Sequence, residues 1–158
     1  MKEIQRDAVV SKDGVYRYCL TRIWCPRKPL VTFVGLNPST ADATLDDPTV
    51  RRCIGFAAAW GGGSLCIVNL FALRSKNPAL LRLSRDPVGP ENDVWIDRAM
   101  KGAGVVIAAW GNVGATSGRA TPLLQRHRRR FCYLRLTKQG APGHPLYVPA
   151  ATRPTPLA

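Results

Sequence analysis

Four short apolar runs, each separated from the next by a stretch of different grammar, constrain this chain more than any other feature. They are "LVTFVG" at 30–35, "SLCIVNLFAL" at 64–73, "VVIAAWG" at 105–111 and "FCYLRL" at 131–136. They are rich in β-branched and aromatic residues, which reads as buried strand. Helical segments fall between them. In "DDPTVRRCIGFAAAWGGG", Asp47 can cap, Pro48 suits the first helical position, and Val50, Ile54, Ala57 and Ala58 form an apolar stripe that Gly61–Gly63 end. "ENDVWIDRAMKGAG" reads as a helix with a glycine stop, and "TPLLQRHRRR" as one opened by Thr121-Pro122. Strands alternating with helices predict a three-layer α/β/α domain around a mostly parallel four-stranded sheet.

The flanks carry less order. "VYRYCLTRIW" at 15–24 suits an antiparallel edge strand, so residues 1–29 are expected to add edge strands or a hairpin. Residues 74–92, "RSKNPALLRLSRDPVGPEN", are rich in breakers and predict a long functional loop with at most one helical turn. The tail from 137, proline-rich over 150–158, is too broken for regular structure. With no repeat and no linker, residues 1–158 read as one domain.

Composition then narrows the partners. The sequence has 23 Lys and Arg against 10 Asp and Glu, a formal net charge of +13, which favours polyanions and nucleic acid first. No apolar stretch is long enough to span a bilayer and no basic-then-apolar leader opens the chain, so a cytoplasmic protein without membrane contact is expected. The five cysteines are scattered without a C-x-x-C pair, the pattern of buried reduced thiols; no metal and no cofactor are expected.

The polar punctuation of the strands points to a site. Three runs end in a similar way, "FVGLNPS", "CIVNLFA" and "IAAWGN", and a fourth polar element, "GHPLY", follows the last. In an open α/β sheet, ligands bind outside the carboxyl ends of the strands. If the strands are parallel, Asn37, Asn69, Asn112 and His144 converge at one edge of the sheet.

The order "GLNP", "VNLFALRS", "AAWG", "HPL" resembles the uracil-DNA glycosylase superfamily over residues 30–148. The chain is also similar to a smaller microbial family of unknown function marked by "LNPSTAD", "WG" and "HPLY". The superfamily resemblance implies a glycosylase-like fold and hydrolysis of the N-glycosidic bond of a flipped-out damaged, mispaired or 5-modified pyrimidine. It implies that Asn37 positions the water and that His144 hydrogen-bonds the O2 of the base. Asn69 would read the base's Watson–Crick edge. Gly35, Leu36 and Pro38 complete the first motif, Trp110 and Gly111 support the pocket beside Asn112, and Leu146 wedges into the base stack. Phe71 is the candidate stacking aromatic. The partner implied is DNA, duplex or single-stranded, with no obligate protein partner, and Arg51, Arg52, Arg74 and Arg119 are candidate phosphate clamps.

Two departures sharpen the expectation. Ser39 stands where the strict uracil enzymes carry a tyrosine that shuts out a 5-methyl group, so the pocket should accept 5-substituted pyrimidines. The late loop reads "HPLY" rather than His-Pro-Ser. Asp42, Asp46 or Asp47 could each supply a carboxylate. Two other readings stay open: a glycosidase or transferase acting on free nucleosides or nucleotides, and a non-catalytic nucleic-acid-binding module. Whether activity needs a polymer separates the first from the glycosylase, and whether any base is released separates the second.

Overall fold

The computed structural model describes residues 3–157 and shows a mixed α/β protein built on one seven-stranded sheet. The strands are β1 (Gln5–Val10), β2 (Arg17–Ile23), β3 (Leu30–Gly35), β4 (Ser64–Asn69), β5 (Val105–Ala108), β6 (Phe131–Tyr133) and β7 (Thr155–Pro156). Their order across the sheet is β1-β2-β4-β3-β5-β6-β7. β3 pairs in parallel with both β4 and β5, and β5 with β6, so the four apolar runs form a continuous parallel centre. An antiparallel hairpin, β1–β2, is added beside β4, and β7 is added antiparallel beside β6.

The helices are α1 (Pro48–Ala59), α2 (Asn92–Lys101), α3 (Gly111–Thr116) and α4 (Ala120–His127). Alternation along the strands divides the core in two. Val31 and Phe33 of β3, Leu65 and Ile67 of β4 and Ile107 of β5 pack with Val50, Cys53, Ile54, Phe56 and Ala57 of α1. The intervening Val34, Cys66, Val68, Val106 and Ala108 pack with Ile96, Ala99 and Met100 of α2 and Leu123 of α4. Residues two apart on a strand share a face, so β3, β4 and β5 are buried on both sides. That double burial explains why the runs lack polar alternation.

Several expectations are corrected. β2 is not an edge strand; β1 covers it, and β2 joins the hairpin to β4. The third run stops at Ala108 rather than Gly111, because Gly111 takes φ +66° and opens α3, an element the sequence reading lacked. The fourth run is strand only over three residues. The tail is not wholly irregular: the Leu157 amide donates to the Phe131 carbonyl, seating β7 on the sheet. The breaker-rich loop holds one short 3-10 turn, Pro78–Arg82, capped by Asn77. No helix among the described residues is long and apolar enough to cross a membrane.

Candidate functional site

At the carboxyl ends of β3 and β4 lies a cavity of about 200 Å³. Its floor is a contact between neighbouring strands. Gly35 and Asn69 are register partners on β3 and β4. A Cβ built on Gly35 would stand 2.7 Å from Asn69 Oδ1, closer than real Cβ atoms come. Gly35 is therefore required for close approach, and Asn69 lies against the bare backbone. Asn69 is 3 % exposed, and its Nδ2 has no hydrogen-bond partner among the described residues. A buried amide donor left unmet costs on the order of 1–3 kcal/mol. Asn69 is also one of the residues that line the cavity.

Asn37 has the opposite arrangement. Its Nδ2 donates to the carbonyls of Ser75 at 2.9 Å, Pro38 at 3.1 Å and Leu73 at 3.4 Å. Three carbonyls around one end settle which end is nitrogen. Oδ1 is then the other end of a side chain that lines the cavity. The same contacts knit the 36–39 loop to the 73–75 loop, helped by the Ser75 amide donating to the Pro38 carbonyl.

His144 closes another side. It precedes the 3-10 turn Pro145–Tyr147, and its Nδ1 accepts the Leu146 amide at 3.2 Å. An Nδ1 that accepts is unprotonated, so the neutral ring carries its hydrogen on Nε2 and offers a donor. Burial pushes its pKa below the ordinary histidine value, with Asp47 opposing, so the neutral ring prevails at pH 7.

The amino-terminal end of α1 forms the remaining wall through Asp47, Thr49 and Val50. Asp47 caps α1, its Oδ1 accepting the Val50 amide at 2.9 Å. The three aspartates of this region have different surroundings. Asp46 binds Arg6 and Arg22, Asp42 folds onto the amides of its own turn at Thr44 and Leu45, and Asp47 alone of the three lines the cavity.

Asn37, Asn69 and His144 thus meet one cavity with Gly35, Leu36, Pro38 and Ser39. Other expected residues stand elsewhere. Trp110 is buried edge-on against Phe131 in the core below α3; Ala109 reaches the cavity instead. Asn112 lies on the exposed side of α3, bonded to Thr137 and Gln139, because the turn at Gly111 carries it away. Gly111 itself donates its amide to Pro142. Phe71 packs into the α2-side core, and the aromatic at the cavity is Phe33. Leu146 is 41 % exposed beside the cavity rather than in it.

The four arginines expected to clamp phosphate all have donors engaged within the fold. Arg51 donates to the Asp46 carbonyl, Arg52 to the Val148 carbonyl and Arg74 to the Gly14 carbonyl. Arg119 donates to the Leu70 carbonyl and pairs with Asp93. The sequence reading missed Arg17, which lines the cavity at 3 % exposure. The signal was present: a charged residue inside the aromatic run "VYRYCLTRIW" has to be paired or used once the strand is buried.

A family model described as a protein of unknown function, DUF1643, matches residues 17–146. That span runs from Arg17 to Leu146 and contains every cavity residue discussed above. No curated protein and no solved structure matches the chain.

Proposed function

The chain belongs to the DUF1643 family of proteins of unknown function, and from the chemistry of its cavity we propose that it is a DNA N-glycosylase acting on a flipped-out damaged, mispaired or 5-modified pyrimidine. The observation that carries the reading is the meeting of Asn37, Asn69 and His144 on one cavity, with Asn37 Nδ2 and His144 Nδ1 tied to the backbone and Asn69 Nδ2 unmet among the described residues. We read the parallel centre, with α1 on one core and α2 and α4 on the other, as a three-layer fold of the uracil-DNA glycosylase kind.

In this mechanism Asn69 presents its unmet Nδ2 to an acceptor on the base edge. The C1′–N bond breaks with its electron pair passing to the base, and negative charge gathers on O2. His144 donates Nε2–H to that oxygen, a preorganised contact strongest in the transition state. Asn37 accepts from a water through Oδ1 and aligns it with C1′. As the water adds, its proton passes to the carboxylate of Asp47. The departing base takes up a proton afterwards. A base must leave the stack to enter a cavity this small. Ser39 lines the wall where a tyrosine would fill space, so a substituent at C5 is admitted.

The test is release of base from duplex and single-stranded DNAs bearing uracil or 5-substituted pyrimidines, with alkali used to cut abasic sites. Asn37→Ala should slow release by about 10²-fold, the scale of one lost preorganised contact, and leave DNA affinity nearly unchanged. Because Asn37 also ties two loops together, the melting temperature is measured beside the rate. Release from none of these DNAs and from no free nucleotide would leave a non-catalytic binding module. A second reading, a glycosidase acting on free nucleotides, is favoured by one observation: each of the four expected clamp arginines gives at least one donor to a carbonyl of the chain itself. Release from a nucleoside 5′-monophosphate but not from DNA would select it.

A further inference from the structure

β2 carries two buried arginines, and they differ in one respect. Arg22 is 0 % exposed and fully served. Its Nε donates to Asp46 at 2.8 Å, and its two Nη groups reach the carbonyls of Asp7, Thr21, Asp42 and Leu45. That guanidinium holds the 42–46 loop against the sheet. Arg17 is 3 % exposed, and among the described residues its side chain makes one hydrogen bond, Nη1 to the Ala41 carbonyl at 2.9 Å. Its Nε is buried with no partner among the described residues. Among the described residues no carboxylate forms an ion pair with it. Asp47 lends a favourable field from a distance, with its Oδ1 bound to the Val50 amide, while Arg74 and Arg22 repel. Burial pulls Arg17 down to about 10, which still leaves it charged at neutral pH.

A buried charge without a counter-charge is destabilising, and native folds pair such groups or place them where a ligand pairs them. Arg17 lies on the wall of the cavity that also holds the unmet amide of Asn69. Lys76 and Ser75 line the same cavity. A guanidinium offers a planar fork of donors matched to carboxylate and phosphate oxygens.

We infer that Arg17 is an anion-binding residue, and that the ligand of this cavity carries a carboxylate or phosphate group that pairs with it. The inference names the ligand class of the site described above; it rests on the glycosylase reading only in taking the rest of the ligand to be a pyrimidine. The anion has two sources, an acidic substituent on the base or the phosphate of the nucleotide.

The test uses the full chain and calorimetric titration with uracil, a uracil carboxylate, uridine 5′-monophosphate and inorganic phosphate. At least one anionic probe should bind tenfold or more tightly than uracil. Preference for the carboxylate assigns the anion to the base, and preference for the monophosphate assigns it to the nucleotide. Arg17→Met should abolish the difference, while Arg17→Lys keeps part of it. The unliganded proteins supply a second readout. Arg17→Met should melt at least as high as wild type, because an unpaired buried charge has been removed, and phosphate should raise the melting temperature of wild type only. Equal binding of charged and neutral probes, no binding of any anion, or an undiminished phosphate effect in Arg17→Met would overturn the inference. Anion binding without base release would defeat the glycosylase reading and leave this one standing; base release without anion preference would do the reverse.

Discussion

Two side chains at the cavity are arranged against their own stability, and that arrangement is informative. Asn69 leaves a buried donor unmet, and Arg17 leaves a buried charge unpaired. Hydrogen-bonding groups are seldom buried at such a cost without use. His144 adds a consequence that can be measured. Its folded pKa lies below the ordinary histidine value because burial disfavours the charged ring. The unfolded chain therefore binds the proton more readily. The stability that His144 contributes is present above its unfolded value, about 6.5, and is lost as pH falls through the lower folded value. Protonation also fills Nδ1 and ends its bond with the Leu146 amide. Melting temperature should decline on the acid side more steeply for wild type than for His144→Gln. Base release should lose activity over the same acid range, since the neutral ring is the working form in the proposed mechanism. Parallel acid declines in both proteins would remove His144 as their cause.

At the level of elements, α1 does two jobs through one residue. Asp47 ends the loop that follows β3, and its carboxylate starts α1 by accepting the Val50 amide, with Pro48 at the first helical position. The buried stripe of α1 then holds the helix on β3 and β4, so the capping residue is delivered to the carboxyl ends of those strands. Two substitutions separate the roles. Asp47→Ala should lower stability by about 1 kcal/mol through loss of the cap, and it should abolish base release as well. Asp47→Asn keeps a side-chain oxygen for the Val50 amide, so its melting temperature should stay near wild type while release still falls sharply. Full activity in Asp47→Asn would show that the carboxylate takes no part in moving the proton.

Over the whole molecule the excess of positive charge acts as a field rather than as a set of named contacts. Beyond the four expected clamps, Arg130 donates to the carbonyls of Met100 and Ala103, so arginine donors are used widely to hold the fold. The charge of +13 remains, and DNA binding should weaken steeply as salt rises because phosphate contacts release counterions. Binding measured across a salt series checks this, and a flat response would assign the charge to another role. The sequence by itself determined what depends on near neighbours. The four apolar runs, the Asp47-Pro48 start of α1 and the glycine stops all express local burial, capping and backbone freedom; each run begins as strand where it was read, the last three stop short of the ends read for them, and the helix start and stops stand as read. Local rules did not reach β7, because a two-residue strand exists only through its pairing with β6. They did not reach α3 either, since Gly111 turns there with its amide on a carbonyl from a distant loop. The site divides in the same way. Gly35, Asn37, Asn69 and His144 were legible as residue types at strand ends, whereas the exclusion of Trp110, Asn112 and Phe71 turned on which face each one took. Asp46 was set apart by Arg6 and Arg22, and Arg17 from Arg22, through partners remote in sequence, whereas Asp42 and Asp47 bond within their own turns and only the packing of α1 brings Asp47 to the cavity. Burial and pairing of charge are properties of the packed chain, and the tertiary structure alone decided them.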